Sequence, residues 1–297
     1  MKRFIKQSLL FIVICIIAIK GLLYWENYLI SRNANFRLPN NIESLIFGHS
    51  HSECAFNDSL IDNFKNLSNS GESYFYMLPK VKNVLSQNPQ IKNVFIEFTN
   101  NQITAKMDNW IWGELMTSRM SLHSAFMGPE DHFVLIKNNF GDYFNSLSVS
   151  FKNKFTRINE GDYYFMDEMG AYKKLTVCKV DSILEAKKKN DAVNKTNRQL
   201  SATNITYLKK VIDYCESNDK NVFLVRSPQH DKYTGIINEL SFDSIRKKEF
   251  ASIPFLDFND FELNKEDYAD LEHLNFKGAN KFSKWFDNYF KNNLPLK

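Results

Sequence analysis

The sequence has little cysteine, glycine or proline, with 4, 10 and 7 residues respectively in a chain of 297. The cysteines form no CxxC pair and no zinc-knuckle spacing, which excludes the common cysteine-based metal and redox motifs. Isolated cysteines of this kind usually act as small apolar side chains. A bridge between Cys178 and Cys215 stays open, because a domain outside the cytoplasm can keep a disulfide.

The sequence also lacks any internal repeat, any low-complexity segment and any basic run interleaved with aromatic residues. The formal net charge is only +4, so we expect a lysine-rich solvated surface and no nucleic-acid partner. Hydrophobic residues make up 43% of the chain and charged residues 24%. This composition and length are typical of a globular protein with an ample core, in one large domain or two small ones.

The N-terminus holds the one long apolar stretch, and it predicts a membrane anchor within residues 1–25. The segment MKRFIKQ is basic, and residues 8–25 are mainly apolar apart from Lys20. That length is near the lower limit for a span, and Lys20 can reach outward to the headgroups. The basic flank predicts a single-pass protein of the inner or plasma membrane, with its main domain in the periplasm or exterior. A cleaved signal peptide stays open, although no small-x-small cleavage site follows.

Beyond residue 25 the pattern indicates a stalk and one α/β domain. Residues 26–41 are polar without a sustained period and are interpreted as a short stalk. In residues 42–297, strand-like runs alternate with segments of helical period, which predicts a three-layer α/β/α fold with a mostly parallel sheet. These runs are residues 44–48, 65–71, 92–101, 219–228 and 253–260. The segment at about 102–200 interrupts the alternation and is expected to be a functional insertion or subdomain. Part of it, such as MDNWIW, is aromatic and irregular, and the lysine-rich part over residues 184–200 is predicted as helical.

The candidate chemistry lies in two distant stretches, FGHSHSECAFND from residue 47 and DLEHLNFKG from residue 270. Ser50 lies on a turn after the first strand, and Asp270 precedes His273 by three residues, just before the last helix. That spacing lets the carboxylate orient one imidazole nitrogen while the other faces outward. A serine hydroxyl becomes a nucleophile when an adjacent base takes its proton. The three residues therefore predict a nucleophile, a base and an orienting acid.

In order and placement, these segments resemble the sequence blocks of the SGNH, or GDSL-like, hydrolases. FGHSHS resembles the first block, NSG the second, EFTNNQ the third and DLEHLN the fifth. The resemblance implies the three-layer, flavodoxin-like SGNH fold and a catalytic triad of Ser50, His273 and Asp270. It also implies an oxyanion hole formed by the backbone amides of Ser50 and Gly71 and the side chain of Asn100.

The resemblance covers residues 43–101 and 219–290, and three positions depart from it. His49 replaces the aspartate of the first block, Phe98 the glycine of the third and Asn101 its aspartate. Loosened blocks with a membrane anchor resemble the branch that includes alginate-type polysaccharide O-acetyltransferases. That likeness implies acyl transfer or ester hydrolysis on an exported polysaccharide or other acylated carbohydrate, with a membrane acyl-donor protein as a further partner. It implies no metal, nucleotide or other cofactor.

Further roles are predicted for residues around these blocks. The candidate substrate contacts are His49, His51, Glu53, Asn101, Trp110 and Trp112. The two tryptophans lie in the insertion, where aromatic side chains form either local core or a platform for sugar rings.

Three alternative interpretations stay open. The residues His49, His51, Glu53, Asp270 and His273 are enough ligands for zinc, but their spacing matches no zinc motif. The serine elbow of the α/β-hydrolases is a near match, except that Ser52 occupies the place of its last glycine. A non-catalytic polysaccharide-binding or assembly factor that kept the fold and lost turnover is the alternative function, and the changed third block favours it.

Overall fold

The protein is described by a computed structural model covering residues 1–189, 199–233 and 238–293. Its first helix, α1, runs from Lys2 to Asn33 and is the one helix in these described ranges that is long and apolar enough to cross a membrane. The most apolar 18-residue window has a mean hydropathy of 2.3, and none of it is buried within the protein. An apolar helix without a protein partner over this length fits a bilayer better than water.

The predicted stalk differs from the structure at its start, because residues 26–33 continue α1. Glu26 and Ile30 are buried, and Ile30 belongs to the main hydrophobic core. Glu26 pairs with Lys154 at 3.0 Å between Oε2 and Nζ, and both side chains are almost fully buried. Packing against the domain therefore keeps this polar segment helical, where its sequence alone shows no period.

Five parallel strands form one sheet in the order β2-β1-β3-β4-β5. They are β1 Ser44–Phe47, β2 Phe64–Asn66, β3 Asn93–Glu97, β4 Asn221–Arg226 and β5 Phe255–Asp257. This order is that of flavodoxin-like sheets, in which the strand order reverses between β1 and β3. The predicted α/β fold with a parallel sheet is confirmed.

Further α-helices follow α1 in the described residues. They are α2 Ser50–Ala55, α3 Tyr74–Gln87, α4 Lys106–Trp112, α5 Met116–His123, α6 Pro129–Asn138, α7 Phe140–Glu160, α8 Val180–Lys189, α9 Ala202–Ser217, α10 Glu239–Glu249 and α11 Phe276–Asn293. Helices α4 to α8 lie within the predicted insertion, between β3 and α9. The lysine-rich run predicted as helical over 184–200 falls partly on residues 190–198, which lie outside the described residues.

Both faces of the sheet are buried, as the continuous apolar strands predict. Leu45 and Phe47 of β1 face one core, which is shared with α3 and α9, while Ile46 between them faces the other. That second core is shared with α11, whose Phe282 and Phe286 are fully buried. Successive strand residues point to opposite faces, so each strand contributes to both cores.

The insertion is more regular than its sequence predicts. The segment MDNWIW, interpreted as irregular, lies in helix α4. Met107 and Ile111 are both buried there, and residues four apart share one helical face. A helix of 7 residues is too short to show a periodic pattern, so tertiary packing decides its conformation.

The four cysteines are unpaired in the structure. Cys54 and Cys215 are buried, whereas Cys178 is exposed. Cys215 lies in the main core, as expected for a cysteine that acts as a small apolar side chain.

Candidate active site

The turn after β1 requires glycine at residue 48. A Cβ on Gly48 would lie 2.3 Å from Oε2 of Glu97 and 2.2 Å from Oγ of Ser52, which are impossible contacts. The tight turn brings the chain directly from the strand end into α2, which begins at Ser50. Ser50 therefore stands at the carboxyl edge of the sheet, where sites of such folds form.

The turn before α11 brings Asp270 and His273 to the same edge. Oδ1 of Asp270 accepts hydrogen bonds from the backbone N–H groups of Glu272 at 2.7 Å and His273 at 2.9 Å. Nδ1 of His273 lies 3.0 Å from both carboxylate oxygens of Asp270. The carboxylate thus holds the turn and the imidazole together.

The other imidazole nitrogen meets the predicted nucleophile. Nε2 of His273 lies 2.8 Å from Oγ of Ser50, across a sequence separation of 223 residues. Because Asp270 accepts a hydrogen bond from the N–H at Nδ1, Nε2 is left as the acceptor for the serine hydroxyl. The structure brings together the three residues predicted as a triad, and their catalytic roles stay predictions.

The charge of Asp270 stabilises the protonated form of His273. Burial acts to lower the pKa of His273, but the hydrogen bond and charge of Asp270 outweigh it, and the pKa is raised above 6.5. Burial acts to raise the pKa of Asp270, but the bond and charge of His273 and two backbone N–H donors lower it overall. Such a pair can accept a proton from a hydroxyl and carry the resulting charge.

A second polar cluster lies beneath the triad, and we call it the Glu97 layer: Gly48, His49, Ser52 and Glu97. Oε2 of Glu97 accepts from the His49 N–H at 2.8 Å and the Ser52 hydroxyl at 2.6 Å. Glu97 is completely buried. Burial acts to raise the pKa of Glu97, but the neighbouring histidines and these hydrogen bonds outweigh burial. The pKa of Glu97 is therefore lowered overall.

His49 is a fixed part of this layer. Its Nε2 lies 3.1 Å from Oδ1 of Asn101, and its Nδ1 accepts from the backbone N–H of His51 at 3.3 Å. Complete burial lowers the pKa of His49 to about 4, although the Glu97 charge opposes this. His49 is therefore neutral at pH 7, with its proton on Nε2, and supports the turn that presents Ser50.

His51 lies nearer the reacting atoms than His49 does. Its ring centroid is 5.3 Å from that of His273, and its Nδ1 lies 2.8 Å from the amide nitrogen of Gln229. Nε2 of His51 is buried, makes no hydrogen bond within the described residues, and lies 3.5 Å from Oε2 of Glu272. Nε2 of His51 thus faces the Glu272 carboxylate, and the role of His51 as a substrate contact stays a prediction.

Glu53 points to a different neighbour. It forms a short hydrogen bond with the hydroxyl of Ser70 and lines a cavity of about 760 Å³ whose lining does not include Ser50. The role of Glu53 as a substrate contact stays a prediction. Glu272, in the same turn as His273, stands beside His51.

The two asparagines after β3 have different surroundings. The amide nitrogen of Asn100 donates to Glu239 at 2.6 Å, and its oxygen accepts from Arg226 at 3.0 Å. Oδ1 of Asn101 is bound by the Thr99 hydroxyl and faces His49. Asn100 as an oxyanion donor stays a prediction, but Asn101 is the asparagine that lies at the turn presenting Ser50.

Gly71 adopts the left-handed conformation, with φ at +74°. L side chains rarely adopt this conformation, so the position favours glycine. A Cβ there would also lie 2.6 Å from Cδ1 of Leu115, a contact that a shift of that side chain would relieve. Its amide remains a predicted oxyanion donor.

The two tryptophans of α4 also have different surroundings. The ring centroid of Trp110 lies 6.0 Å from that of His49, which puts Trp110 at the edge of the site. Trp112 is half-buried and packs against the main core. Of the two predicted sugar contacts, only Trp110 borders the site, and Trp112 fits the alternative of local core.

Two groups of side chains have spacing that could hold a metal ion: His49, His51 and Glu97, and His51, Glu272 and His273. In the first group, Nδ1 of His49 already accepts a backbone hydrogen bond. In the second group, both nitrogens of His273 are engaged by Asp270 and Ser50. A metal at either place would have to displace these bonds, so the residues fit a serine–histidine–aspartate site better than a metal site.

Sequence reasoning missed Glu97 and Glu272. Both carried a signal: Glu97 is the one charged residue within the apolar run VFIEF, and Glu272 lies between the two predicted triad members in DLEH. A carboxylate in a fully buried strand needs partners, which points to a polar layer at that strand end.

Residues 134–295 match the model of an uncharacterised protein family. This match spans more than half of the 297 residues, and the chain belongs to that family. No curated protein matches the chain significantly. A similar solved structure, described provisionally as a platelet activating factor from Streptococcus pneumonia, shares 12% identity at a TM-score of 0.43, covering 93% of this chain and 98% of its own.

Proposed function

We propose that this protein is a membrane-anchored serine esterase or O-acyltransferase. The observation that carries the proposal is the continuous hydrogen-bonded path from Asp270 through His273 to Ser50, with 3.0 Å and 2.8 Å at its two steps. A hydroxyl, an imidazole and a carboxylate in this order form the arrangement that activates serine in unrelated hydrolases. The side chains of His273 and Asp270 are 19% and 33% exposed, so substrate can reach them.

The reaction follows from the positions of the atoms. Oγ of Ser50 attacks the acyl carbonyl while Nε2 of His273 takes the hydroxyl proton, and Asp270 stabilises the imidazolium. Collapse of the tetrahedral intermediate breaks the bond to the leaving alcohol, which receives that proton from His273. A sugar hydroxyl or water then attacks the acyl carbonyl and gives its proton to Nε2 of His273. The bond between the acyl carbon and Oγ breaks, His273 returns the proton to Ser50, and the acylated sugar or the free acid leaves.

The developing oxyanion needs donors on the side of Ser50 away from His273. The backbone amides of Ser50 and Gly71 are the first two candidates. For a third donor, the side-chain amide of Asn101 is better supported than that of Asn100, whose nitrogen is engaged by Glu239. The Asn101 oxygen is bound by Thr99 and faces His49, and its amide nitrogen makes no hydrogen bond to the residues that the structure describes.

The substrate class rests on the resemblance to membrane-anchored polysaccharide O-acetyltransferases and on the N-terminal anchor. We infer that α1 crosses the inner or plasma membrane with its basic end in the cytoplasm, so that the site faces the periplasm or exterior. Acylated carbohydrate on its way out of the cell fits that location. A membrane protein that delivers acyl groups would supply the donor for transfer.

The test is covalent labelling of Ser50. Purified full-length protein in detergent is treated with a fluorophosphonate, and separately with p-nitrophenyl acetate, and its intact mass is measured. We expect one phosphonyl or one acetyl adduct in the wild-type protein and none in Ser50→Ala. An adduct that persists in Ser50→Ala would show that another residue is the nucleophile.

The binding-factor alternative gives the opposite result in the same experiment. A protein that kept the fold without turnover would bind polysaccharide and yet form no adduct with any acyl donor. The departures at Phe98 and Asn101 in the third block motivate this alternative. Fusion of alkaline phosphatase after Arg37 tests the topology separately, since the fusion is active only if residues beyond the anchor are exported.

A further inference from the structure

Helix α7 exposes large aromatic side chains that the proposed chemistry does not use. Phe140 and Phe144, in its first two turns, are 66% and 50% exposed, and Phe133 on the preceding helix α6 is 63% exposed. The rings of Phe140 and Phe144 contact each other with centroids 4.9 Å apart. Clustered exposed aromatics of this kind mark an interaction surface.

This surface is continuous with the membrane helix. Residues Phe144, Leu147 and Phe151 of α7 line an apolar groove of about 360 Å³. The opposite side of that groove is lined by Ile19, Leu22 and Leu23 of α1.

The two helices run parallel at this contact. Ile19 and Leu22 share the groove with Phe144, whereas the Glu26–Lys154 ion pair joins later positions of both helices. The beginning of α7 therefore points toward the N-terminal, apolar part of α1. At 1.5 Å per residue, Phe140 lies about 6 Å nearer to that part than Phe144 does.

The aromatic residues of α1 give the level of the bilayer boundary. Tyr24, Trp25 and Tyr28 are exposed, and such side chains collect at the membrane–water boundary. Phe144, beside Ile19 and Leu22, lies on the membrane side of that level. Because α7 runs parallel to α1, its first two turns extend about 11 Å along the direction of the anchor.

Polar groups on the same turns point elsewhere. At 100° per residue, Asp142 projects from nearly the opposite face of α7 to Phe140 and Phe144. At its first turns the aromatic face of α7 is thus separate from the single carboxylate there, Asp142.

We propose that the first two turns of α7 insert into the bilayer boundary beside α1, through Phe140 and Phe144. This inference rests on α1 as the membrane anchor of the proposed function. The catalytic domain is then held against the membrane by two elements and cannot turn freely on its anchor. Ser50 consequently keeps one orientation toward a membrane-borne acyl donor.

The test measures membrane depth in the full-length protein reconstituted into phosphatidylcholine–phosphatidylglycerol vesicles. The exposed or partly exposed Cys15 and Cys178 are replaced by serine, and the buried Cys54 and Cys215 are kept. A spin label is attached to a single introduced cysteine at Phe144→Cys. Its accessibility to oxygen, which concentrates in lipid, is compared with its accessibility to a water-soluble nickel chelate. Unchanged thermal unfolding checks that each variant is folded.

Two matched positions make the result decisive. Ile12→Cys in α1 reports on the anchor, and Lys152→Cys reports on an exposed position later in α7. We expect the oxygen-to-nickel ratio at Phe144→Cys to be several-fold above that at Lys152→Cys and close to that at Ile12→Cys.

Each other outcome overturns the proposal in its own way. An aqueous ratio at Phe144→Cys with a lipid ratio at Ile12→Cys rejects the insertion of α7 and leaves the anchor intact. Aqueous ratios at both positions reject the anchor, and the insertion with it. Spin–spin broadening at Phe144→Cys that disappears on dilution with unlabelled protein would show that a second copy covers the surface instead of lipid.

Discussion

The carboxyl edge of the sheet carries two polar layers that use the same residue types for different purposes. The triad of Ser50, His273 and Asp270 is partly exposed, and the Glu97 layer beneath it is buried. Each layer pairs a histidine with a carboxylate and a serine. The pKa of His273 is raised, because its carboxylate partner outweighs its burial, whereas burial lowers the pKa of His49 to about 4.

This difference shows that burial decides the role of a histidine–carboxylate pair. A histidine that must gain and lose a proton needs a partner for its charge and access to solvent, which His273 has. A histidine enclosed without solvent stays neutral and serves as a fixed hydrogen-bonding group. Changes to the triad should therefore remove activity with little change in stability. Changes to the Glu97 layer should mainly lower stability.

The largest effect is expected from comparing two serines of the same helix, Ser50→Ala and Ser52→Ala. Removing a serine nucleophile costs on the order of 10⁶-fold in turnover in a comparable hydrolase, and Ser50→Ala should abolish esterase activity with little change in melting temperature. Ser52 bonds to Glu97 at 2.6 Å in a buried site, so its loss should cost about 1–3 kcal/mol of stability. Ester hydrolysis and urea unfolding of both variants measure the contrast. Equal activity losses in the two folded variants would contradict the separation of layers.

Asp270→Asn should give the next largest effect and change the pH profile. The corresponding substitution in a serine protease lowers turnover on the order of 10⁴-fold. Activity needs neutral His273, so kcat/KM rises with pH through the pKa of His273, which Asp270 holds above 6.5. Without that carboxylate the pKa falls, and the acid limb should move to lower pH. A pH profile with an unmoved acid limb would show that another group titrates.

Asn101→Ala and Asn100→Ala test which asparagine serves the oxyanion. Losing one such donor costs on the order of 10²- to 10³-fold in turnover, and we expect this loss for Asn101→Ala. Asn100 bonds to Arg226 and Glu239, so Asn100→Ala should act mainly on stability. The comparison is made by kcat at saturating p-nitrophenyl acetate, with thermal unfolding as the control. A larger kcat loss in folded Asn100→Ala would restore the assignment implied by the family resemblance.

The sheet and the meeting of Ser50, His273 and Asp270 could be predicted because their signals are local. Apolar runs predicted the strands, and Ser50, Asp270 and His273 lie in short motifs at predicted strand or helix ends. The roles of Asn100 and Asn101 could not be separated in this way. They are neighbours in sequence, and only the tertiary positions of Arg226 and His49 distinguish their surroundings.

The parts that sequence reasoning missed depend on distant contacts. Glu26 and Lys154 are far apart in sequence, and their buried contact helps to keep the start of the predicted stalk helical. Helix α4 is too short to show a period of its own. In both cases the conformation is decided by packing partners that no local pattern identifies.

The Glu97 layer should reveal itself in the pH dependence of stability. His49 keeps a pKa of about 4 in the folded protein, against a usual 6.5. As pH falls, His49 therefore binds a proton at a higher pH in the unfolded chain than in the folded protein. The contribution of neutral His49 to stability is complete above pH 6.5 and is lost progressively toward pH 4, with a total on the order of 3 kcal/mol.

The measurement compares the wild-type protein with His49→Asn by urea unfolding at pH 7.5 and pH 4.5. The variant should lose less stability between the two values, by about 2–3 kcal/mol. His273→Ala is the matched control with the opposite sign. The raised pKa of His273 stabilises the fold below pH 6.5 and loses that effect as pH rises through the folded value. If the free energy of unfolding falls equally between pH 7.5 and pH 4.5 in the wild type and in His49→Asn, His49 is not a buried neutral group.

The smallest effect is expected from the two tryptophans of α4, which extend the same comparison to the insertion. Trp110 lies 6.0 Å from His49 at the edge of the site, and Trp112 packs against the main core. Trp110→Ala should raise KM for a polysaccharide acceptor about fivefold, the equivalent of about 1 kcal/mol, while stability hardly changes. Trp112→Ala should leave KM unchanged and lower the melting temperature, because it removes packed apolar surface. Acceptor titrations and thermal unfolding of both variants decide between the two roles. Should Trp110→Ala lower only the melting temperature, Trp110 too is part of the insertion core, and the sugar-contacting surface must be sought nearer to His51 and Glu272.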